Sequence, residues 1–199
     1  MRRAFASITP SAVEVAADRI GDDIVATPDA VMDRAFTIEA PPDEVWPWLV
    51  QLGKQRAGWY LPRSIERFIP RNHRATRDLD PRWQQLAVGD VIPDYGGRHE
   101  TFTVAHLDPP RHLVYESQRG RMHVSWSLTL TPAGLDDTGS GAARGSGAAS
   151  TRLHLRLRLG PIRRKWLVDT GGELIDVLTI AAMASGLRER IAKRPSRTD

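Results

Sequence analysis

The sequence predicts an α+β fold in which a curved antiparallel sheet of about six to seven strands packs against one long carboxy-terminal helix. Three patterns support this prediction. Residues 31–40 alternate apolar and polar side chains, residues 151–159 alternate leucine with basic residues, and a long apolar helical segment closes the chain. Each alternating segment has one apolar face, and the terminal helix is the only predicted element long enough to cover it. The opposite, polar face of the sheet should therefore be exposed to solvent.

The first predicted strand leads directly into a short helix. Pro41 and Pro42 end the strand, and proline is tolerated in the first turn of a helix. Asp43 and Glu44 follow, where carboxylates interact favourably with the helix dipole. Pro47 removes a backbone donor, so we expect this helix to be short or bent. The predicted buried stripe is Val45, Trp46, Leu49, Val50 and Leu52.

Four more strands are predicted in the middle of the chain. A second short helix, at residues 62–68, and an exposed basic loop connect them to the first helix. Glycine and proline turns separate the four strands. These strands are predicted at residues 88–93, 101–107, 113–117 and 122–131.

The predicted domain organisation is one main domain at residues 21–193, with an amino-terminal extension at 1–20 and a tail at 194–199. Residues 133–150 are rich in glycine, alanine and serine and should form a flexible loop. The closing helix is predicted from Ile162 to Lys193. Gly171 and Gly172 inside it cost about 1 kcal/mol each relative to alanine. This indicates a kink where a ligand enters, a close approach to the sheet, or a break after a short first helix.

Composition excludes several classes of protein. There is no cysteine, so disulfides, thiolate metal sites and a cysteine nucleophile are ruled out. No apolar run reaches the roughly 20 residues of a membrane helix, and no signal-like stretch opens the sequence, so we expect a cytoplasmic protein. The net charge is +4, but only three of the 28 basic residues are lysine. This usage fits a GC-rich genome better than it indicates binding to nucleic acid.

Several segments resemble a known superfamily. They are FTIEAPPDEVWPWLVQLG at 36–53, RAGWY at 56–60, WQQLAVGDVI at 83–92 and the long closing helix. Over residues 21–193 the sequence resembles the START-like, or SRPBCC, superfamily, the polyketide cyclase/dehydrase and lipid-transport group with the Bet v 1-like helix-grip fold. It looks closest to uncharacterised bacterial members. The resemblance implies a hydrophobic cavity between sheet and helix for lipids, sterols or polyketides. Because the superfamily includes enzymes, carriers and chaperone activators, it does not fix the function.

Aromatic residues are the main candidates for lining that cavity. The predicted cavity residues are Trp59, Tyr60, Tyr95, Phe102, Tyr115, Trp126, Leu155 and Gly171. As a set they would form a flat apolar wall for a ring or acyl chain, with tyrosine hydroxyls as orienting donors. For any one of them taken alone, core packing is the favoured interpretation, and the resemblance favours a lined cavity only for the set. Trp126 shares a strand face with Val124 and Leu128, so we expect it to point inward in either case.

No catalytic or metal-binding group emerges from the pattern. Acid–base catalysis would need Glu100, Glu116 or His123 to face the cavity, and we assign none of them a catalytic role. The six histidines form no helical pair, and His106 and His112 flank a turn without a placed carboxylate. We therefore expect mostly solvent-exposed histidines, no metal and no cofactor.

The segment 152–165 is strongly basic, with Arg152, Arg156 and Arg158 on one strand face. A solvated surface that balances the acidic region 14–44 is favoured over transient attraction to a membrane surface or an acidic partner. We predict a binding protein whose partner is a small hydrophobic ligand. The alternatives are a cyclase or dehydratase acting on a polyketide-like substrate, and an interaction module that uses the basic face.

Overall fold

The computed structural model describes residues 8–97, 99–133, 150–162 and 172–192. Its elements are α1 (Ala12–Ala16), β1 (Ala30–Ile38), α2 (Pro42–Gln51), α3 (Arg63–Glu66), β2 (Val91–Pro93), β3 (Thr101–Asp108), β4 (His112–Arg119), β5 (Met122–Pro132), β6 (Thr151–Gly160) and α4 (Glu173–Ile191). Short 3-10 helices lie at Asp23–Val25, Arg71–His73 and Pro81–Trp83. The predicted α+β, helix-grip arrangement is confirmed.

The six strands form one sheet in the order β1-β6-β5-β4-β3-β2. All neighbouring strands are antiparallel. A shift in register between Val104 and His106 marks a bulge in β3, which bends the sheet. The strand predicted from residue 88 begins only at Val91, because Gly89 turns the chain with a φ of +93°.

The inner face of the sheet packs against α4. Phe36 of β1 and Leu153 of β6 are opposite each other in the register and are fully buried. On the helix, Met183 and Leu187 belong to the same buried cluster. The Arg188 side chain donates a hydrogen bond to the carbonyl of Thr37 at 3.0 Å, which fixes the helix along β1.

The helix α2 is ten residues long and contains Pro47, as the sequence predicted. Its buried face differs from the prediction, which also missed the buried Gln51. Trp48 is buried, whereas Trp46 is only partly buried. The reason is helical spacing, because Trp48 follows Val45 by three positions and therefore shares its face.

The prediction that the long helix begins at Ile162 is wrong. Ile162 is not helical, and its amide donates to the Asp29 carboxylate at 2.6 Å. The helix α4 begins at Glu173. Residues 163–171, which include the predicted Gly171, lie outside the described residues, as do 134–149 of the predicted flexible loop and Lys193. Among the described helices, none combines the length and apolar character needed to cross a bilayer.

The sequence predicted that the outer face of the sheet would be exposed to solvent, but part of the chain covers it. Residues 8–26, here called the N-terminal strap, run across it. The carbonyl of Ile8 accepts a hydrogen bond from the Ala35 amide at 2.9 Å on the free edge of β1. Gly21 has a φ of +91° and passes so close to Val114 that a Cβ there would lie 2.5 Å from a Val114 methyl carbon. The alternation within strands gives no information about this cover, because it comes from a distant part of the chain.

The basic residues of β6 hold the strap in place. Arg152 pairs with Glu14 at 2.7 Å, and Arg156 pairs with Asp22 and Asp33, both at 2.8 Å. Arg158 donates to the carbonyl of Val25 at 3.0 Å. The positive face and the acidic region therefore balance each other, as the sequence indicated.

The solvated surface predicted for this basic face is wrong at two positions. Arg156 is only 4% exposed and His154 only 3% exposed. The His154 Nε2 lies 3.1 Å from Asp33. Because a desolvated charge needs partners, the carboxylates and carbonyls of the strap explain how a buried guanidinium is tolerated here.

Candidate functional site: a cavity between the sheet and the terminal helix

A cavity of about 400 Å³ lies between the inner face of the sheet and the amino-terminal half of α4. Its apolar lining is Met32, Trp59, Phe102, Met122, Val124, Trp126, Leu157, Leu159, Ile175 and Ile180. Asp94, Arg119, Asp176 and Thr179 supply polar groups, and Gly96 and Gly172 complete the lining. This volume and this mostly apolar composition are characteristic of small-molecule sites.

Trp126 is the centre of an aromatic cluster in the cavity wall. Its ring stacks on Tyr115 at a centroid distance of 5.7 Å and on Trp59 at 6.0 Å. Phe102 lies 6.0 Å from the same ring at a tilt of 41°. The Tyr115 contact follows from the sheet, because the two residues are direct cross-strand neighbours on β4 and β5. These contacts hold the indole in one orientation.

A second, much smaller cavity of about 40 Å³ adjoins the same cluster. Four residues line both cavities and form the boundary between them: Trp59, Asp94, Phe102 and Trp126. The Trp59 indole nitrogen also donates to the carbonyl of Thr179 at 3.4 Å. Trp59 therefore connects the loop after α2 both to the sheet and to α4.

The charged groups at the cavity are paired. Arg119 donates to the Asp94 carboxylate, and its Nε lies 3.8 Å from Glu100. On the other side, Arg34 and Asp176 form an ion pair at 2.9 Å. Each ionisable side chain among the described residues that line the large cavity thus lies beside a side chain of opposite charge. These pairs can offer hydrogen bonds to a ligand without presenting an unpaired charge.

Tyrosine hydroxyls near the cavity stay protonated at neutral pH. Burial raises the pKa of Tyr115. Burial also raises the pKa of Tyr95, although a hydrogen bond with the backbone of Trp59 opposes this shift. These two hydroxyls can therefore donate hydrogen bonds to a ligand but do not act as bases.

The structure brings together five of the eight predicted cavity residues. Trp59, Phe102 and Trp126 line both cavities, while Tyr95 and Tyr115 line the small one. Gly171 lies outside the described residues, and its neighbour Gly172 lines the large cavity.

Tyr60 and Leu155 lie elsewhere. Tyr60 is fully buried, donates to the carbonyl of Trp48 at 2.8 Å and lines neither of these cavities. Leu155 is part of the hydrophobic core, and the leucines that border the cavity are Leu157 and Leu159.

Arg119 was not among the residues predicted to line the cavity. On β4 the inward-facing positions are Leu113, Tyr115, Ser117 and Arg119, so strict alternation places the arginine toward the cavity. The sequence signal for Arg119 was this alternation, because the three preceding inward-facing positions of β4 carry apolar or small side chains. The catalytic candidates Glu116 and His123 are exposed, and Glu100 is partly exposed beside Arg119.

The histidines are more varied than the sequence indicated. His73, His99 and His123 are exposed, whereas His154 is buried and His106 and His112 are half-buried. Burial lowers the pKa of His112, and the nearby His106 lowers it further, although Asp108 opposes both effects. Within the described parts of the chain, no three histidine, aspartate or glutamate side chains form a group able to hold a metal ion.

Comparisons with known proteins show the fold and no more. No protein-family model matches the sequence, and no curated protein matches it. A protein of Rhodobacter sphaeroides of known structure is similar with a TM-score of 0.50 and 15% identity, covering 82% of this chain and 93% of that one.

Two further structures are less similar. A Mesorhizobium loti protein has a TM-score of 0.45 and 20% identity, covering 85% of this chain and 99% of its own. CalU16 from Micromonospora echinospora has a TM-score of 0.41 and 18% identity, covering 82% and 81%. The similarity to the Rhodobacter protein supports a shared sheet-and-helix fold.

Proposed function

We propose that the protein binds a small, mostly apolar ligand in the large cavity between the sheet and α4. The observation that carries the proposal is the cavity itself, about 400 Å³ in volume, with apolar side chains at ten of its 16 lining positions. Transfer of apolar ligand surface from water into such a site is favourable by roughly 25 cal/mol per Å². The START-like resemblance of the sequence supports the same proposal, and we infer that the chain is a member of that superfamily.

The wall favours a ligand with a flat ring system or a long acyl chain. Phe102, Trp59 and Trp126 present aromatic surface along one side. The Arg119–Asp94 pair at the edge offers a donor and an acceptor to a hydroxyl or carbonyl group. Because this pair is already neutral as a unit, it favours an uncharged polar group over a free carboxylate.

The two alternative functions have less support. A cyclase or dehydratase would need a lining group free to exchange a proton, and the ionisable lining groups among the described residues are engaged in ion pairs. An interaction module based on the basic face would need accessible charges, but the strap occupies Arg152, Arg156 and Arg158.

The test is a ligand screen on the purified full chain, with sterols, fatty acids and aromatic polyketides as probes. Thermal shift gives the change in melting temperature, because a ligand that binds the folded state stabilises it by mass action. Native mass spectrometry reports any compound that copurifies. We expect at least one neutral, ring-bearing probe to raise the melting temperature.

A matched pair of variants assigns the binding to the cavity. Leu157→Trp adds bulk at a lining position that is only half-buried, whereas Leu178→Trp adds the same bulk at an exposed position of α4 outside the cavity. We expect the first variant to lose the shift and the second to keep it. The proposal is wrong if no probe raises the melting temperature of the unaltered chain, or if both variants respond alike.

A further inference from the structure

Residues 63–74 form a basic segment that the cavity does not use. Its sequence, RSIERFIPRNHR, contains four arginines and one glutamate. Arg63, Arg67, Arg71 and Arg74 are all exposed. Among the described residues, no carboxylate forms a salt bridge with any of these four side chains. The segment thus differs from β6, whose arginines are engaged by the strap.

The one acidic residue of the segment faces inward. Glu66 lies in the single turn of α3, is buried, and pairs with Arg190 at 2.6 Å and with Arg77. Burial alone would raise the pKa of Glu66, but the two guanidinium groups outweigh burial and lower it, so the carboxylate stays charged and compensated. Four positive charges therefore face solvent without a neighbouring negative charge from the segment itself.

Two large apolar side chains stand among these arginines. Phe68 is 77% exposed and Ile65 is 43% exposed. No other large apolar side chain in the described residues has as high an exposed fraction as Phe68. The Arg67 guanidinium lies 4.5 Å from the centre of the Phe68 ring, so the basic and apolar surfaces are continuous.

Hydrogen bonds within the segment and to α4 hold the segment in one conformation. Arg74 donates to the carbonyls of Ile69 and Arg67, at 2.7 and 3.4 Å. The Arg63 amide donates to Glu189 of α4 at 2.9 Å. Glu189 also pairs with Arg77, so this nearby carboxylate is itself compensated. Phe68 is therefore exposed on a turn that is already formed, and binding through it would not require ordering the loop.

We propose that residues 63–74 dock the protein on the surface of an anionic lipid bilayer. Arginines near an anionic bilayer surface each strengthen binding about fivefold. Phe68 and Ile65 would enter the boundary between headgroups and acyl chains, and the burial of Phe68 adds about another tenfold. A bilayer satisfies both features, whereas a nucleic acid or an acidic protein surface would account for the charges alone.

The docking segment is separate from the cavity. It adjoins the carboxy-terminal end of α4 at Glu189 and Arg190, whereas the cavity borders Ile175 to Ile180. Nine positions of helix separate Ile180 from Glu189, which corresponds to about 13 Å along the helix axis. The docking proposal therefore does not rest on the proposed ligand function, and the two can be tested independently.

The test is sedimentation of the full chain with vesicles of phosphatidylcholine containing phosphatidylserine, compared with phosphatidylcholine alone. We expect binding only to the anionic vesicles, with weakening as salt is raised. The variant Arg67→Glu/Arg71→Glu should reduce binding at least twentyfold, from about fivefold for each lost arginine. Phe68→Ser should reduce it about tenfold while leaving the net charge unchanged.

Two control variants exclude effects of total charge and total apolar surface. Arg111→Glu/Arg121→Glu makes the same charge change at exposed positions elsewhere, and Val88→Ser removes an exposed apolar side chain outside the segment. Both should bind anionic vesicles nearly as well as the unaltered chain. The proposal is overturned if the chain does not sediment with anionic vesicles, or if the controls lose binding as strongly as the segment variants. It is equally overturned if Phe68→Ser has no effect, since the charges would then act as a general polyanion site.

Discussion

Gly186 of α4 lies against the backbone of Leu61 so closely that a Cβ on the glycine would be 2.6 Å from the Leu61 carbonyl carbon. The helix thus crosses the segment after Trp59 in direct backbone contact. Four residues later, Arg190 donates to the carbonyl of Leu61 at 3.0 Å. This crossing holds the end of α4 in place and thereby fixes the helix that covers the cavity.

Gly186→Ala should destabilise the protein. In an open helix the change would stabilise by about 1 kcal/mol, but here the added methyl group overlaps backbone, which costs about 1 to 3 kcal/mol. Denaturant unfolding measures the difference, with Ser185→Ala as the neighbouring control that should change stability by less than about 0.5 kcal/mol. A more stable Gly186→Ala variant would show that the helix is free to move away from Leu61.

Glu66→Gln should destabilise by about 3 kcal/mol, because it leaves the charge of Arg190 buried without an anion. The Arg190 side chain is fully buried and keeps only carbonyl acceptors in this variant. Asp108→Asn is the matched control, since its pair with Arg111 is exposed and should contribute less than about 1 kcal/mol. Equal free energies of unfolding for the two variants would contradict a special role for the buried pair.

Acid should weaken the attachment of the N-terminal strap through Glu14. The hydrogen bond from Arg152 lowers the pKa of Glu14 from 4.5 to about 2, although partial burial opposes this shift. A folded-state pKa below the unfolded value means that the contribution to stability is complete above pH 4.5 and is lost as the pH falls through about 2.

The comparison with Glu14→Gln tests this dependence. At neutral pH the variant should be less stable than the unaltered chain, and the difference in unfolding free energy should shrink as the pH falls from 4.5 to about 2. Glu116→Gln, at an exposed position of β4, should show no such convergence. If the difference in unfolding free energy between Glu14→Gln and the unaltered chain stays constant over this pH range, Glu14 does not make the strap attachment sensitive to pH.

Trp126→Ala should lower both stability and ligand binding. The loss of an indole that packs on Tyr115, Trp59 and Phe102 should cost about 3 kcal/mol. Trp46→Ala removes the same side chain from α2, where it packs on the core but lines neither cavity. Thermal shift with the best probe should therefore remain for Trp46→Ala and disappear for Trp126→Ala, and retention in both would place the ligand elsewhere.

The strands and the order of elements could be predicted because their signals are local. The alternation of Leu153 with Arg152 and His154 is a period of two, and the register of β6 against β1 and β5 preserves it. Turn residues such as Gly120 separate the strands within a few positions. The inward direction of Trp126 followed from the same alternation.

The burial of Arg156 and the composition of the cavity could not be predicted in this way. Arg156 is covered by carbonyls and carboxylates from the strap, more than 130 positions away in the sequence. The cavity likewise combines Met32, Leu157 and Ile175 with the aromatic residues of the sheet. Alternation shows which face a side chain is on, but tertiary packing decides what lies above that face and how deep each residue is.

The strap also sets the sequence of events in folding. Its partners Arg152 and Arg156 are on β6, and the hydrogen bond from Arg156 to Asp22 closes a separation of 134 positions. The strap leaves the ribosome before β6, so its ion pairs with Arg152 and Arg156 cannot form until that strand has been synthesised and paired. The strap is therefore among the last described parts of the fold to reach its final position, and until then Arg152 lacks its carboxylate partner and Arg156 has only Asp33 of β1.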